Sequence, residues 1–273
     1  MVCHWTLFSD DFLNPWFRAN PPGGVGKFND TGIPVQLDYG DGSYGVTGTV
    51  GVGPFKFSSY EVPQQAFLAV QKSTTSLGSL GISGLLGLSF DVVTSSPIGA
   101  AVKQKYGSGA TWGQSVLHNI FDQHPTEPNF VAISLSRTDD LEDTSGGSFS
   151  IGEYNPTFSA IAQEPQLPQF PDGGDRWTTL LEGISVDGHS IPVTSTMDKV
   201  PAGHGVALLD TGDPAAMFPT AVWDGIYGSI PGAVKINDAG GAYWVIPCNT
   251  TTIVELVFGY IPSFLIHFVS NKF

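Results

Sequence analysis

Two short stretches carry residue types suited to acid–base chemistry. ALLDTGDPAAMFP, Ala207 to Pro219, holds Asp210, Thr211 and Gly212 directly behind apolar residues, and KFNDTGIPVQ holds a second Asp-Thr-Gly at Asp30, Thr31 and Gly32. Two carboxylates in contact cannot both ionise, so such a pair keeps one proton across acid pH. One member then takes a proton from water while the other protonates a carbonyl oxygen, with no covalent intermediate. That chemistry asks for an apolar strand to bury the acid, a glycine to turn the chain, and a hydroxyl to lock the loop.

Asp210 meets those demands: Val206, Ala207, Leu208 and Leu209 form the strand, Thr211 supplies the hydroxyl and Gly212 the turn. On these residues alone it reads equally as an aspartate capping a tight turn. Asp30 follows Gly26-Lys27-Phe28-Asn29 and precedes Pro34, and is expected to be a turn. It also lies in a sequon, Asn29-Asp30-Thr31, and a second sequon stands at Asn249-Thr250-Thr251.

Other chemistries are excluded or left without support. Cys3 and Cys248 sit near opposite ends, and the histidines are scattered with no His-Glu-x-x-His, so no metal site is expected. No cofactor is expected either. Gly40, Gly42 and Gly45 match a dinucleotide fingerprint, but β-branched VTGTV follows where that loop must open a helix. There is no G-x-S-x-G for a serine hydrolase. A net charge of −14 repels phosphate backbones, so nucleic acid is not an expected partner.

The elements that must position Asp210 read as mostly β. The chain has 34 glycines and 20 prolines and only 13% charged residues, which favours turns and strands over long solvated helices. PVQLDYGDGSYGVTGTVGVG alternates on both sides of a Gly-rich turn, and PFKFSSYEVPQQAFLAV continues as strand, turn and strand. GISGLLGLSF is a short apolar run where backbones pass closely. TWGQSVLHNIFDQH is expected to be helical, with Val116, Leu117, Ile120 and Phe121 on one face. NFVAISLSR and SFSIGEY flank the wet acidic tip RTDDLEDTSGG, and a hairpin turns at Asp187-Gly188. PTAVWDGIYGSI reads as a short helix. IVELVFGYIPSFLIHFV is interrupted by Glu255, Pro262 and His267 and reads as two strands, not a membrane span. The Pro-rich AQEPQLPQFPDGGD is the expected connection between an N-terminal lobe, 1–160, and a C-terminal lobe, 161–273.

These segments, in this order, resemble a pepsin-like aspartic endopeptidase, most closely the secreted fungal type. LDYGDGSYGVTGTV resembles the family's flap with Tyr39 as its tyrosine, SGLLGLSF resembles the strand bracing the first catalytic loop, and ALLDTG resembles the second catalytic motif. The resemblance implies a bilobal, mostly β fold, and an extracellular monomer that binds a peptide or protein in an interlobe cleft. It implies Asp210 as one of two catalytic aspartates with Thr211 and Gly212 in its loop, Tyr39, Gly40 and Asp41 at the substrate, and Asp30 as a turn outside the site.

Departures accompany the match. The family's first Asp-Thr-Gly lies further ahead of the flap tyrosine than the residues before Tyr39 allow, so it falls upstream of Met1, and MVCHWTLFSDDF is no signal peptide. The segment bracing the second catalytic loop and the final strands are also expected to be missing, along with a disulfide partner for Cys248. The fold is thus expected to be incomplete at both ends, and the chain alone inactive. Asp213-Pro214 stands where the family places Ser or Thr, and a second acid so close is expected to disfavour ionisation of Asp210 unless it points into solvent. The rival readings are a non-catalytic binding protein on the same fold, holding a peptide or another enzyme, and more distantly a carbohydrate-recognising β protein.

Overall fold

The computed structural model describes residues 6–9, 16–18, 27–39, 44–74, 84–90, 96–135, 147–212, 216–259 and 261–267. The chain forms two compact units. The first comprises Met1–Asn129 with Asp175–Trp177 and Leu209–Pro214; the second comprises Phe130–Gly174, Thr178–Leu208 and Ala215–Phe273.

The first unit is built on strands β1 (Thr6–Ser9), β2 (Trp16–Arg18), β3 (Asn29–Tyr39), β4 (Tyr44–Phe57), β5 (Tyr60–Ser73) and β6 (Gly84–Gly87). They join in one sheet in the order β1-β6-β2-β5-β4-β3. The expected hairpin is there: β3 and β4 pair antiparallel up to Tyr39 opposite Tyr44. Period-two alternation sends Val35, Leu37 and Tyr39 inward while Pro34, Gln36 and Asp38 face water. The next hairpin turns at Ser58 and Ser59, with Phe57 opposite Tyr60. Gly48 marks a close approach between its arms. A Cβ there would meet the Ala69 carbonyl, with its carbon 2.8 Å away, and Val70 Cα at 3.0 Å. The strands can sit this close only because position 48 has no side chain.

Helix α1 (Pro97–Tyr106) is absent from the sequence expectations, although its start carries two standard signals. The Ser96 hydroxyl accepts from the Gly99 N–H, and Pro97 occupies the first turn. Ile98 and Val102, four residues apart, are the helix's buried pair. Helix α2 (Val116–Gln123) confirms the expected helix but starts only at Val116, because Ser115 caps it and residues Thr111–Gly113 form a 3-10 turn. Val116, Leu117 and Ile120 are buried as expected, and Phe121 is half-buried. The core gathers Val35, Leu37, Val46, Val50, Leu68, Val70 and Leu85 with Ile98 and Val102.

A buried amide network fastens α2 to β5. Asn119 Nδ2 donates to Gln65 Oε1 at 2.8 Å, and Gln65 Nε2 donates to the Gln114 and Ala66 carbonyls at 2.9 and 3.1 Å. Gln65 and Asn119 are almost wholly buried, so these bonds replace the water both amides give up.

The second unit begins with the strand pair β7 (Val131–Ser134) and β8 (Ser148–Ile151), the expected flanks of the acidic tip; most of the tip itself lies outside the described residues. A 3-10 segment, Pro156–Gln163, leads to β9 (Thr178–Leu181), β10 (Gly183–Val186), β11 (His189–Ile191) and β12 (Gly205–Leu208). The hairpin of β10 and β11 turns at Asp187 and Gly188, with φ of 49° and 79°, as anticipated. Helix α3 (Thr220–Gly228) follows, then β13 (Val234–Asp238), β14 (Gly241–Val245), β15 (Ile253–Phe258) and β16 (Ile261–His267). The last two form an antiparallel pair, as the interrupted apolar run suggested, and no helix among the described residues is long and apolar enough to cross a membrane. The core is Leu181, Ile184, Val186, Ile191, Val193, Val222, Ile226, Val254 and Phe258.

Candidate active site

Asp210 lies just beyond β12, which pairs antiparallel with β9 from Gly205 opposite Leu181 to Leu208 opposite Thr178. The pairing extends past the strand ends, where the Leu209 N–H donates to the Trp177 carbonyl at 2.9 Å. The chain then turns, and Asp210 Oδ1 accepts from the Gly212 N–H at 2.7 Å. Asp210, Thr211 and Gly212 are all half-buried. Asp213 and Pro214 lie outside the described residues.

The strand does not shield the acid as the sequence suggested. Among the described residues β12 has one partner strand, β9. Leu208 keeps 39% of its surface in water and Leu209 keeps 53%. Two large apolar side chains therefore stand open immediately before the candidate catalytic carboxylate.

The second Asp-Thr-Gly has the same local bond, Asp30 Oδ1 accepting from the Gly32 N–H at 2.9 Å. It is not a free turn ahead of the hairpin but a bulge inside β3, where the register with β4 shifts between Asp30 and Pro34 and Gly32 takes φ of 68°. Thr31 Oγ1 donates to the Val50 carbonyl at 2.8 Å and so ties the bulge to β4. Asp238-Ala239-Gly240 repeats the bond once more, at 2.8 Å, in a β-hairpin tip. Three Asp-x-Gly turns thus share this hydrogen bond, and what sets Asp210 apart is the wholly apolar run Val206–Leu209 behind it, where Asp238 follows Val-Lys-Ile-Asn.

Tyr39 ends β3 and is 5% exposed, packed in the core of the first unit. Gly40, Gly42 and Asp41, the hairpin tip, lie outside the described residues. Gly45 lies in β4, so the glycine fingerprint runs between strands and opens no helix. The first unit holds both Tyr39 and Leu209–Pro214, so the structure assigns the hairpin and the Asp210 loop to the same compact unit.

Sequence reasoning missed the segment that carries the loop. Trp177 Nε1 donates to the Leu88 carbonyl at 2.7 Å, and its ring lies 4.3 Å from that of Phe90, centroid to centroid. The Asp175 carbonyl accepts from the Phe90 N–H at 3.2 Å and from the Ser89 hydroxyl. SGLLGLSF was expected to brace the first catalytic loop; here its end, Leu88–Phe90, holds Asp175–Trp177, and Trp177 holds Leu209. The one sequence signal was a tryptophan placed at the start of a strand.

Among the described residues no group of three or more His, Cys, Asp or Glu is placed to hold a metal. Cys248 is exposed, while Cys3 lies outside the described residues.

The family model described as eukaryotic aspartyl protease matches residues 25–263. The chain belongs to this family. Three fungal relatives agree with the assignment. Major aspartyl peptidase 1 of Cryptococcus neoformans var. grubii is 24% identical over 82% of this chain and 43% of its own length. An aspartic protease of Phaffia rhodozyma and rhizopuspepsin-4 of Rhizopus niveus are each 25% identical over 82% of this chain and 48% of their own lengths. The chain thus spans somewhat less than half the length of these curated relatives. The family member is mostly β, as its composition and alternating segments suggested.

Proposed function

We propose that this chain carries one half of the catalytic pair of an aspartic endopeptidase, with Asp210 as the carboxylate. In the intact pair a second aspartate shares one proton with Asp210, water attacks the peptide carbonyl, and no covalent intermediate forms. Thr211 and Gly212 shape the loop, and Tyr39, Gly40 and Asp41 are the substrate-side residues that the family resemblance implies, although Tyr39 is packed in the core of the first unit here. The protein works outside the cell as a monomer on peptide or protein substrates, without a cofactor.

The observation that carries this reading is the setting of Asp210. Its carboxylate is fixed by the Gly212 N–H at the end of a strand, and the preceding residue is tied to Trp177. Asp210 works in this reaction only with a second carboxylate that shares its proton, so activity requires that partner aspartate.

Two measurements test this. The pure chain is incubated with denatured haemoglobin at about pH 3 to 5, where such a pair holds one proton, with and without a statine-type inhibitor. No inhibitor-sensitive cleavage is expected; its appearance would refute the requirement for a partner aspartate. The protein extended through its flanking coding sequence is then assayed as wild type and as Asp210→Asn. Cleavage abolished by the substitution is expected, and cleavage that survives it removes Asp210 from the mechanism.

A further inference from the structure

We infer that Asn249 is an N-glycosylation site of this protein, and that it is occupied in preference to the other sequon at Asn29; this rests on the reading of the protein as secreted. Asn249 sits in the loop joining β14 to β15, where the Thr250 N–H donates to the Pro247 carbonyl at 3.1 Å and closes a turn. From there exposure alternates: Asn249 is exposed, Thr250 half-buried, Thr251 exposed and Thr252 buried. The two inward threonines hold each other, Thr250 Oγ1 lying 3.0 Å from Thr252 Oγ1. Asn249 and Thr251, the acceptor amide and the hydroxyl of the sequon, therefore share the outward face. A bulky, hydrated glycan there displaces nothing from the core.

Asn29 is exposed as well, but its surroundings differ. It stands within β3, opposite Val52 of β4, so a glycan there must be carried by a paired strand. The hydroxyl of its sequon is already engaged: Thr31 Oγ1 donates to the Val50 carbonyl at 2.8 Å and accepts from the Ile33 N–H at 3.2 Å. Folding turns that hydroxyl toward β4, whereas Thr251 keeps facing out.

The donor is a lipid-pyrophosphate-linked oligosaccharide. Asn249 Nδ2 forms a bond to the anomeric carbon of the first sugar, and the bond from that carbon to the pyrophosphate oxygen breaks. The lipid pyrophosphate leaves with the bonding electron pair, and the amide gives up one proton. No electrons are exchanged with any other group.

The full chain is produced in a yeast behind a supplied secretory leader, so that entry into the secretory pathway does not depend on its native address. Secreted and retained pools are both treated with peptide N-glycosidase in heavy-oxygen water, which marks each formerly glycosylated Asn as Asp, and are read by peptide mass spectrometry. Higher occupancy at Asn249 than at Asn29 is expected. Thr251→Ala should abolish the mark at Asn249 while Thr251→Ser retains it, which separates loss of the acceptor from loss of folding. An unmarked Asn249, or occupancy at Asn29 equal to or above it, overturns the inference. The readout requires no peptidase activity, so an inactive chain with an occupied Asn249 counts only against the proposed function. An active protein with an unoccupied Asn249 counts only against the glycan site.

Discussion

Replacing Asn119 by alanine removes one side chain from the buried network that fastens α2 to β5, the strand paired with the longer arm of the Tyr39 hairpin. The change deletes the 2.8 Å bond to Gln65 Oε1 and leaves that oxygen in a site where its residue is 1% exposed. A buried acceptor stripped of its donor costs about 1 to 3 kcal/mol. The void left by the amide adds to this, so a loss of about 2 to 3 kcal/mol is expected. Gln65→Leu removes the same bond from the other side and also strips the Gln114 carbonyl of its 2.9 Å donor. Because both substitutions break one shared contact, the double variant should lose about 1 to 2 kcal/mol less than the sum of the singles. Urea unfolding followed by far-UV circular dichroism measures all four proteins, the change in midpoint giving the cost at constant slope. A loss below about 0.5 kcal/mol for Asn119→Ala, or strict additivity in the double variant, would refute the idea that this bond anchors the helix.

Three further expectations follow from the same structure. Leu209→Ala should cost about 1 kcal/mol or less, since about half of the side chain is already in water, whereas the wholly buried Leu68→Ala should cost about 2 to 5 kcal/mol; equal costs in urea would show Leu209 to be covered. Gly188→Ala forces a side chain to φ of 79° in the β10–β11 turn and should lower stability by about 1 kcal/mol, seen as a lower Tm. Hydrogen bonds from Lys235 at 2.6 Å and Trp244 at 3.0 Å hold the Asp224 carboxyl below its usual pKa, so its contribution is complete above the ordinary carboxylate range and is lost as pH falls through the lowered value. The stability gap between wild type and Asp224→Asn should therefore be constant from neutral pH down to about pH 4 and close below it; a gap that closes while pH is still near neutral contradicts this clasp.

Several features were legible because they depend on local pattern. The hairpin of β3 and β4 follows from period-two alternation around glycines, and the Asp187-Gly188 turn from a dipeptide that tolerates positive φ. Helix α2 follows from Val116, Leu117 and Ile120 at helical spacing. Helix α1 was harder to see, because only Ile98 and Val102 are buried and the residues around them include Gly99, Ala100 and Ala101, which mark no face.

The Asp-Thr-Gly motifs divide what each level decided. Residue order alone separated Asp210, behind Val206 to Leu209, from Asp30, behind Lys27 and Asn29, and the structure places the latter in a strand bulge. Sequence marked the sequon at Asn249 but not the alternation that turns Asn249 and Thr251 toward water, since Asn249 to Thr252 are all polar. It could not determine what supports the Asp210 loop, because that support joins Leu88–Phe90 to Asp175–Trp177 and Trp177 to Leu209 across long stretches of chain. Nor could it tell that Leu208 and Leu209 stay exposed. An apolar run states only which side chains gain by leaving water, and the number of neighbouring strands decides which of them do.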